Sequence, residues 1–141
     1  MDRESTQKTC KITVHLRISG FACDPHAITE ILDIQPDKMW RKGDTLTHTA
    51  KIHHKDNGWE ITSSSDDTTY LESHIADILR VVLPARDKFK SLPAGSSVIL
   101  TCGISLYPDL EMPSLFLDAE TLRVLGEINA DVDIDLCCVE P

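Results

Sequence analysis

A chain of 141 residues, 41% hydrophobic and 26% charged, has the make-up of one soluble globular domain, able to bury roughly 70% of its unfolded surface without a disulfide or metal staple. No apolar run approaches the roughly 20 residues that span a bilayer, and residues 1–9, MDRESTQKT, carry no export signal, so the expectation is a cytoplasmic chain with a frayed N-terminus and no membrane partner. The net charge of −9 is polarised, with 9 Lys+Arg against 7 Asp+Glu in residues 1–55 and 5 against 16 in residues 56–141, an acidity that repels phosphate backbones and argues against nucleic acid.

The elements follow in chain order. Cys10, Ile12, Val14, Leu16 and Ile18 alternate with Lys11, Thr13, His15 and Arg17, which predicts a half-buried strand. Asp24-Pro25 is a helix start with its cap and first-turn proline, and Ala27, Ile28, Ile31 and Leu32 form one apolar stripe before Pro36. Residues 45–54 carry Leu46, Ala50 and Ile52 on one face, and Asp56-Asn57-Gly58 is a turn signal before Trp59 and Ile61, so a hairpin is expected there with Trp59 in the core. Asp66 or Asp67 caps a longer helix with the stripe Leu71, Ile75, Ile78, Leu79 and Val82, which Pro84 kinks or restarts before Phe89 and Leu92. Val98, Leu100, Cys102, Ile104 and Leu106 alternate again, and Ile99 opposite them suggests a strand buried on both sides. Residues 115–117 suggest a short edge strand. Asp118 caps a third helix with Leu122, Leu125 and Ile128 inward and Asn129 as its stop, and Val132, Ile134, Leu136 and Cys138 close the chain as a strand. The order implies a single α+β domain over residues 1–141: a ferredoxin-like β-α-β-β-α-β unit with an appended strand-helix-strand, its sheet mostly antiparallel and its helices packed on one face.

The LRISG of residues 16–20, the DPHAITEILDIQP of residues 24–36, the MWRKGD of residues 39–44, Trp59, and the later LDAETLRVL and DVDID segments together resemble a bacterial family, domain of unknown function 4279. The resemblance extends over nearly the whole chain and implies a shared fold. It brings no assigned catalytic or binding residues.

Two regions stand out for function. Trp40, Arg41, Lys42 and Asp44 lie in an expected loop, where a large aromatic beside two cations and a carboxylate suits a ligand or a partner; the plainer reading has Trp40 closing one end of the core. His15 and Arg17 on the polar strand face extend that candidate. Asp131, Asp133 and Asp135 alternate with Val132, Ile134 and Leu136 and so line one strand face about 7 Å apart, which keeps strand edges from pairing or offers a contact surface to a basic partner.

Other chemistry has less footing. His48, His53 and His54 do not match a zinc-ligand spacing, since six residues of strand hold His48 and His54 about 20 Å apart, and no metal or other cofactor is expected. The five cysteines form no disulfide framework, and none has a sequence neighbour that would make it a thiolate nucleophile. Phosphate-loop, dinucleotide, G-x-S-x-G and H-E-x-x-H motifs are absent from the sequence. The reading is a non-enzymatic binding module for a protein partner, a basic one being the form the acidity favours, with an inhibitor-like or immunity-like role as one concrete form. The alternatives are a small-molecule site, catalytic or not, in a pocket by Trp40, where Trp40 stacks on the ligand, and a homodimer through the open sheet face.

Overall fold

The computed structural model describes residues 10–46, 52–65, 70–109 and 113–140. Its chain order is β1 (Lys11–Ser19), α1 (His26–Leu32), β2 (Lys38–Trp40), β3 (Gly58–Thr62), α2 (Leu71–Val82), a 3-10 segment (Leu83–Ser91), β4 (Ser97–Leu106), α3 (Ala119–Glu127) and β5 (Ala130–Cys138). The strands form one open sheet in the order β2-β3-β1-β4-β5, antiparallel throughout except for the parallel β4–β5 pair.

The alternation in β1 sets the layering. Ile12, Val14, Leu16 and Ile18 are buried, and the register places Ile18 beside Trp59 and Val98, and Leu16 beside Ile61 and Leu100. Leu71, Ile75, Ile78 and Val82 of α2, Ile28 and Leu32 of α1, Ala85 and Phe89 of the 3-10 segment, and Val124 and Leu125 of α3 complete this core. Each fully buried aliphatic side chain contributes roughly 1.5–3 kcal/mol relative to an exposed one. Trp59 is among the largest buried side chains, and its indole N–H donates to Thr29 Oγ1 at 2.9 Å, so the ring's polar edge is satisfied inside the core.

Local signals act where expected in several places. Asp24 Oδ1 accepts from the His26 N–H at 2.9 Å, and Asp118 Oδ1 accepts from Thr121 N–H at 2.8 Å at the start of α3. Asp33 and Asn129, at φ 57° and 59°, end their helices in the left-handed region. Pro84 is the second residue of the 3-10 segment that follows α2 directly. Asp66 and Asp67 lie outside the described residues, and the position before α2 is Tyr70, which makes no side-chain cap.

Five expectations are corrected. The hairpin partner of β3 is Lys38–Trp40, which overlaps the segment read as a loop, because Gly58 has no side chain and leaves the space that Trp40 fills. Of residues 45–54, Thr45 bridges only to His53 and Leu46 N–H donates to Ile52 O, so the stretch pairs with itself outside the sheet; Ala50 is not among the described residues. β4 is not buried on both sides: Ile99 is half-exposed, since every helix packs on the opposite face. Residues 115–117 form no strand, and Leu122 is 51% exposed, because α3 turns Val124 and Leu125 inward instead.

The uncovered face of the sheet therefore carries Lys11, Thr13, His15 and Arg17 of β1, Glu60 and Thr62 of β3, Thr101, Gly103 and Ser105 of β4, and Asp131, Asp133 and Asp135 of β5. Cations gather on the β1–β2 side, β4 is neutral, and the acids lie at the far margin.

Candidate functional site

On the cationic side, register brings together residues far apart in sequence. Arg17 lies opposite Glu60, and Trp40 opposite Gly58. The indole of Trp40 covers Gly58, with the Arg17 guanidinium carbon 5.1 Å from its ring centroid and the His54 ring stacked on it at 4.7 Å and 19°. Glu60 is only 3% exposed despite lying on the open face. Its Oε2 is 3.2 Å from His15 Nδ1 and 3.5 Å from an Arg17 terminal nitrogen, and the same His15 nitrogen is 3.0 Å from Thr62 Oγ1. A carboxylate sheltered to this extent needs such partners to offset the loss of water. Glu60 was not legible as a site residue: it alternates as a polar strand position, and only pairing with β1 gives it Arg17.

The segment after Trp40 is engaged with its own surroundings. Arg41 donates from Nε and a terminal nitrogen to Asp24 Oδ2 at 3.1 and 2.8 Å, and Asp44 Oδ2 accepts from the Arg41 backbone N–H at 2.8 Å. Lys42 N–H donates to Asn57 Oδ1 at 2.8 Å, while Asn57 Nδ2 donates to Cys23 O at 2.9 Å. The His26 backbone N–H, and after it Arg41, hold the Asp24 carboxyl below the usual carboxylate range. Trp40 is thus half-buried on the open side of the sheet, away from the helix-covered core whose end it was expected to close. His53 Nδ1 is 3.0 Å from Gly43 O, and His48 lies outside the described residues.

At the opposite margin, Asp131, Asp133 and Asp135 stand beside Ile99, Thr101 and Gly103, and all three are exposed. Among the described residues none of them has an ion-pair partner. The other side of β5 presents Val132, Ile134 and Leu136 at 37%, 36% and 53% exposure, so the edge strand is open on both faces. Two strand spacings, roughly 10 Å, separate the acids from β1, and the fold does not merge the two candidate regions. Burial, and secondarily Asp133, push the Cys102 thiol up to about 11, so it stays protonated at neutral pH.

A further polar network, not seen in the sequence, ties β3 to α2. Asp77 Oδ2 accepts from Ser64 N–H at 2.5 Å, Ser64 Oγ at 2.8 Å and Ser63 Oγ at 3.3 Å, and Arg80 donates to Oδ1 at 2.8 Å. Ser63 Oγ is also 3.0 Å from Nδ1 of the buried His74, whose Nε2 has no partner. A hydrolytic triad needs the imidazole between hydroxyl and carboxylate. Here the hydroxyl stands between the other two, which makes the cluster a clamp on the loop. The Ser64 side chain and then its backbone N–H lead in holding Asp77 below the usual carboxylate range. A depressed folded value means stabilisation that is complete above the unfolded pKa of about 3.9 and drains as the pH falls through the folded one. Asp77→Asn is expected to lower Tm at pH 7 and to flatten the acid limb of the Tm–pH curve below about pH 4; parallel wild-type and variant curves would refute the clamp.

Three surface clefts of about 360, 280 and 280 Å³ are lined in part by Ile34 and Pro84, by Ser96 and Asn129, and by Ala76 and Phe116, and Trp40 lines none of the three. No helix among the described residues is long and apolar enough to cross a membrane.

Comparison with known proteins matches residues 8–139 to the family described as Domain of unknown function (DUF4279). No curated protein and no solved structure shows significant similarity to the chain.

Proposed function

Since the chain belongs to the DUF4279 family, which carries no assigned chemistry, function has to be argued from the surface, and we propose a non-enzymatic module that contacts a basic protein partner through the acidic β5 margin. The observation that carries this is the row Asp131, Asp133 and Asp135, exposed and without ion partners among the described residues, on a strand whose other face is exposed and apolar. A charged stripe of this kind steers a partner of opposite charge and repels nucleic acid and anionic lipid surfaces. Inhibition of a basic protein, in the cytoplasm, is one concrete form. A ligand site at Trp40 has less support, because its ring already stacks on Arg17 and His54, and Arg41 and Asp44 are engaged within the loop.

The scaffold reading is that β1 to β4 with α1 and α2 form a ferredoxin-like split β-α-β unit, with α3 and β5 added at its margin. Support comes from β3 lying between β1 and β2, and β1 between β3 and β4.

The test is binding of a lysine-rich peptide, followed by fluorescence anisotropy at low and high salt. Binding should weaken steeply with salt. Asp131→Asn, Asp133→Asn and Asp135→Asn combined should weaken it by about tenfold, three exposed pairs being worth roughly 0.5 kcal/mol each. Equal affinity of variant and wild type, or no binding at low salt, would refute the contact.

A further inference from the structure

Resting on that contact reading, we infer that the outer edge of β5 takes up an extended segment of the partner as a sixth strand, one in which basic and aliphatic residues alternate. The phase of β5 is the first reason. Val139 N–H donates to Leu106 O at 2.7 Å, in line with the β4–β5 register. Alternate residues of a strand address the same neighbour, so Asp131, Asp133, Asp135 and Cys137 turn their backbone groups to β4, while Val132, Ile134, Leu136 and Cys138 turn theirs outward. Among the described residues no strand pairs with that outer side, which leaves a row of donors and acceptors on an edge of nine residues, roughly 30 Å long.

Side-chain parity then selects the occupant. Residues directly opposite across a ladder share a face. A strand added to β5 must therefore place side chains against Asp131, Asp133 and Asp135 on the open face and against Val132, Ile134 and Leu136 on the helix side. Lys or Arg at one parity and Val, Ile or Leu at the other satisfies both. A second copy of the chain does not fit, because two-fold antiparallel pairing keeps each face on its own side and sets aspartates against aspartates. The carboxylates thus exclude self-pairing while admitting a cationic strand, and the main-chain ladder supplies affinity that a simple charge contact lacks.

Two nine-residue peptides of equal composition separate these possibilities, one alternating Lys and Val and one with the lysines and valines in blocks. Strand addition predicts that the alternating peptide binds at least about tenfold tighter. It also predicts slowed amide exchange at Val132, Ile134 and Leu136. Ile134→Pro removes one outward donor and spares the β4 ladder, and should cost about tenfold in affinity for the alternating peptide with Tm shifted by only a few degrees. Equal binding of both peptides without amide protection would overturn strand addition and leave the charge contact standing. Failure of both to bind at low salt would overturn both readings. A dimer in sedimentation that Ile134→Pro dissolves would also overturn the inference, by showing the edge to be occupied by a second copy.

Discussion

Trp59→Ala should be the most damaging single substitution in the described core, with a loss of about 3–5 kcal/mol and a fall in Tm on the order of 10 °C or more. The ring is fully buried between β3 and the helices, beside Ile18 in the register of the sheet, and its N–H holds Thr29 of α1. Truncation leaves a cavity between the sheet and the helices and strands the buried Thr29 hydroxyl without its donor. Trp59→Phe keeps most of the volume and loses the hydrogen bond, so it should fall well short of that loss. Thermal and denaturant melts of the two variants check this, and a Trp59→Ala protein melting within a few degrees of wild type would show that Trp59 does not bridge sheet and helix.

Gly58→Ala is the second large effect, and it reports on the other face. A Cβ at this position would overlap the Trp40 indole, and the indole has to leave. Its departure removes the stacking on Arg17 and His54, and Arg17, one of the two partners of the buried Glu60, loses the ring that holds it. The expected loss is about 1–3 kcal/mol, with tryptophan emission moving to the red because Trp40 becomes exposed while Trp59 stays buried. Unchanged emission and Tm would mean that the indole does not rest on Gly58. β5 lies three strands away from β3, so peptide binding at Asp131–Asp135 should survive this substitution, which makes Gly58→Ala a control for the contact surface.

Much of the fold was legible because its signals are local. Period-two alternation marks β1, β4 and β5, the i, i+4, i+7 stripe from Leu71 marks α2, Asp24 and Asp118 mark helix starts by hydrogen bonding to their own neighbours, and Asn129 marks a helix end by taking the left-handed conformation. The three-residue strand β2 was not legible. Its pairing depends on the absence of a side chain at Gly58, roughly twenty residues away, and nothing near Lys38–Trp40 announces it. Ile99 misled for a related reason: one apolar residue on the second face of β4 looks like double burial until the helices are seen to share the other side.

The amino-acid order by itself determined the strands β1, β3, β4 and β5 and the three helices, that Trp59 is core, and that Asp131, Asp133 and Asp135 share a face, since each follows from backbone periodicity and nearby groups. Only the tertiary structure decided that Glu60 is sheltered by His15 and Arg17, that Trp40 covers Gly58, and that β5 stands at the margin with apolar and acidic faces both exposed. Those depend on which strands become neighbours, and that is set by the burial of the whole apolar layer at once rather than by any stretch of chain taken alone.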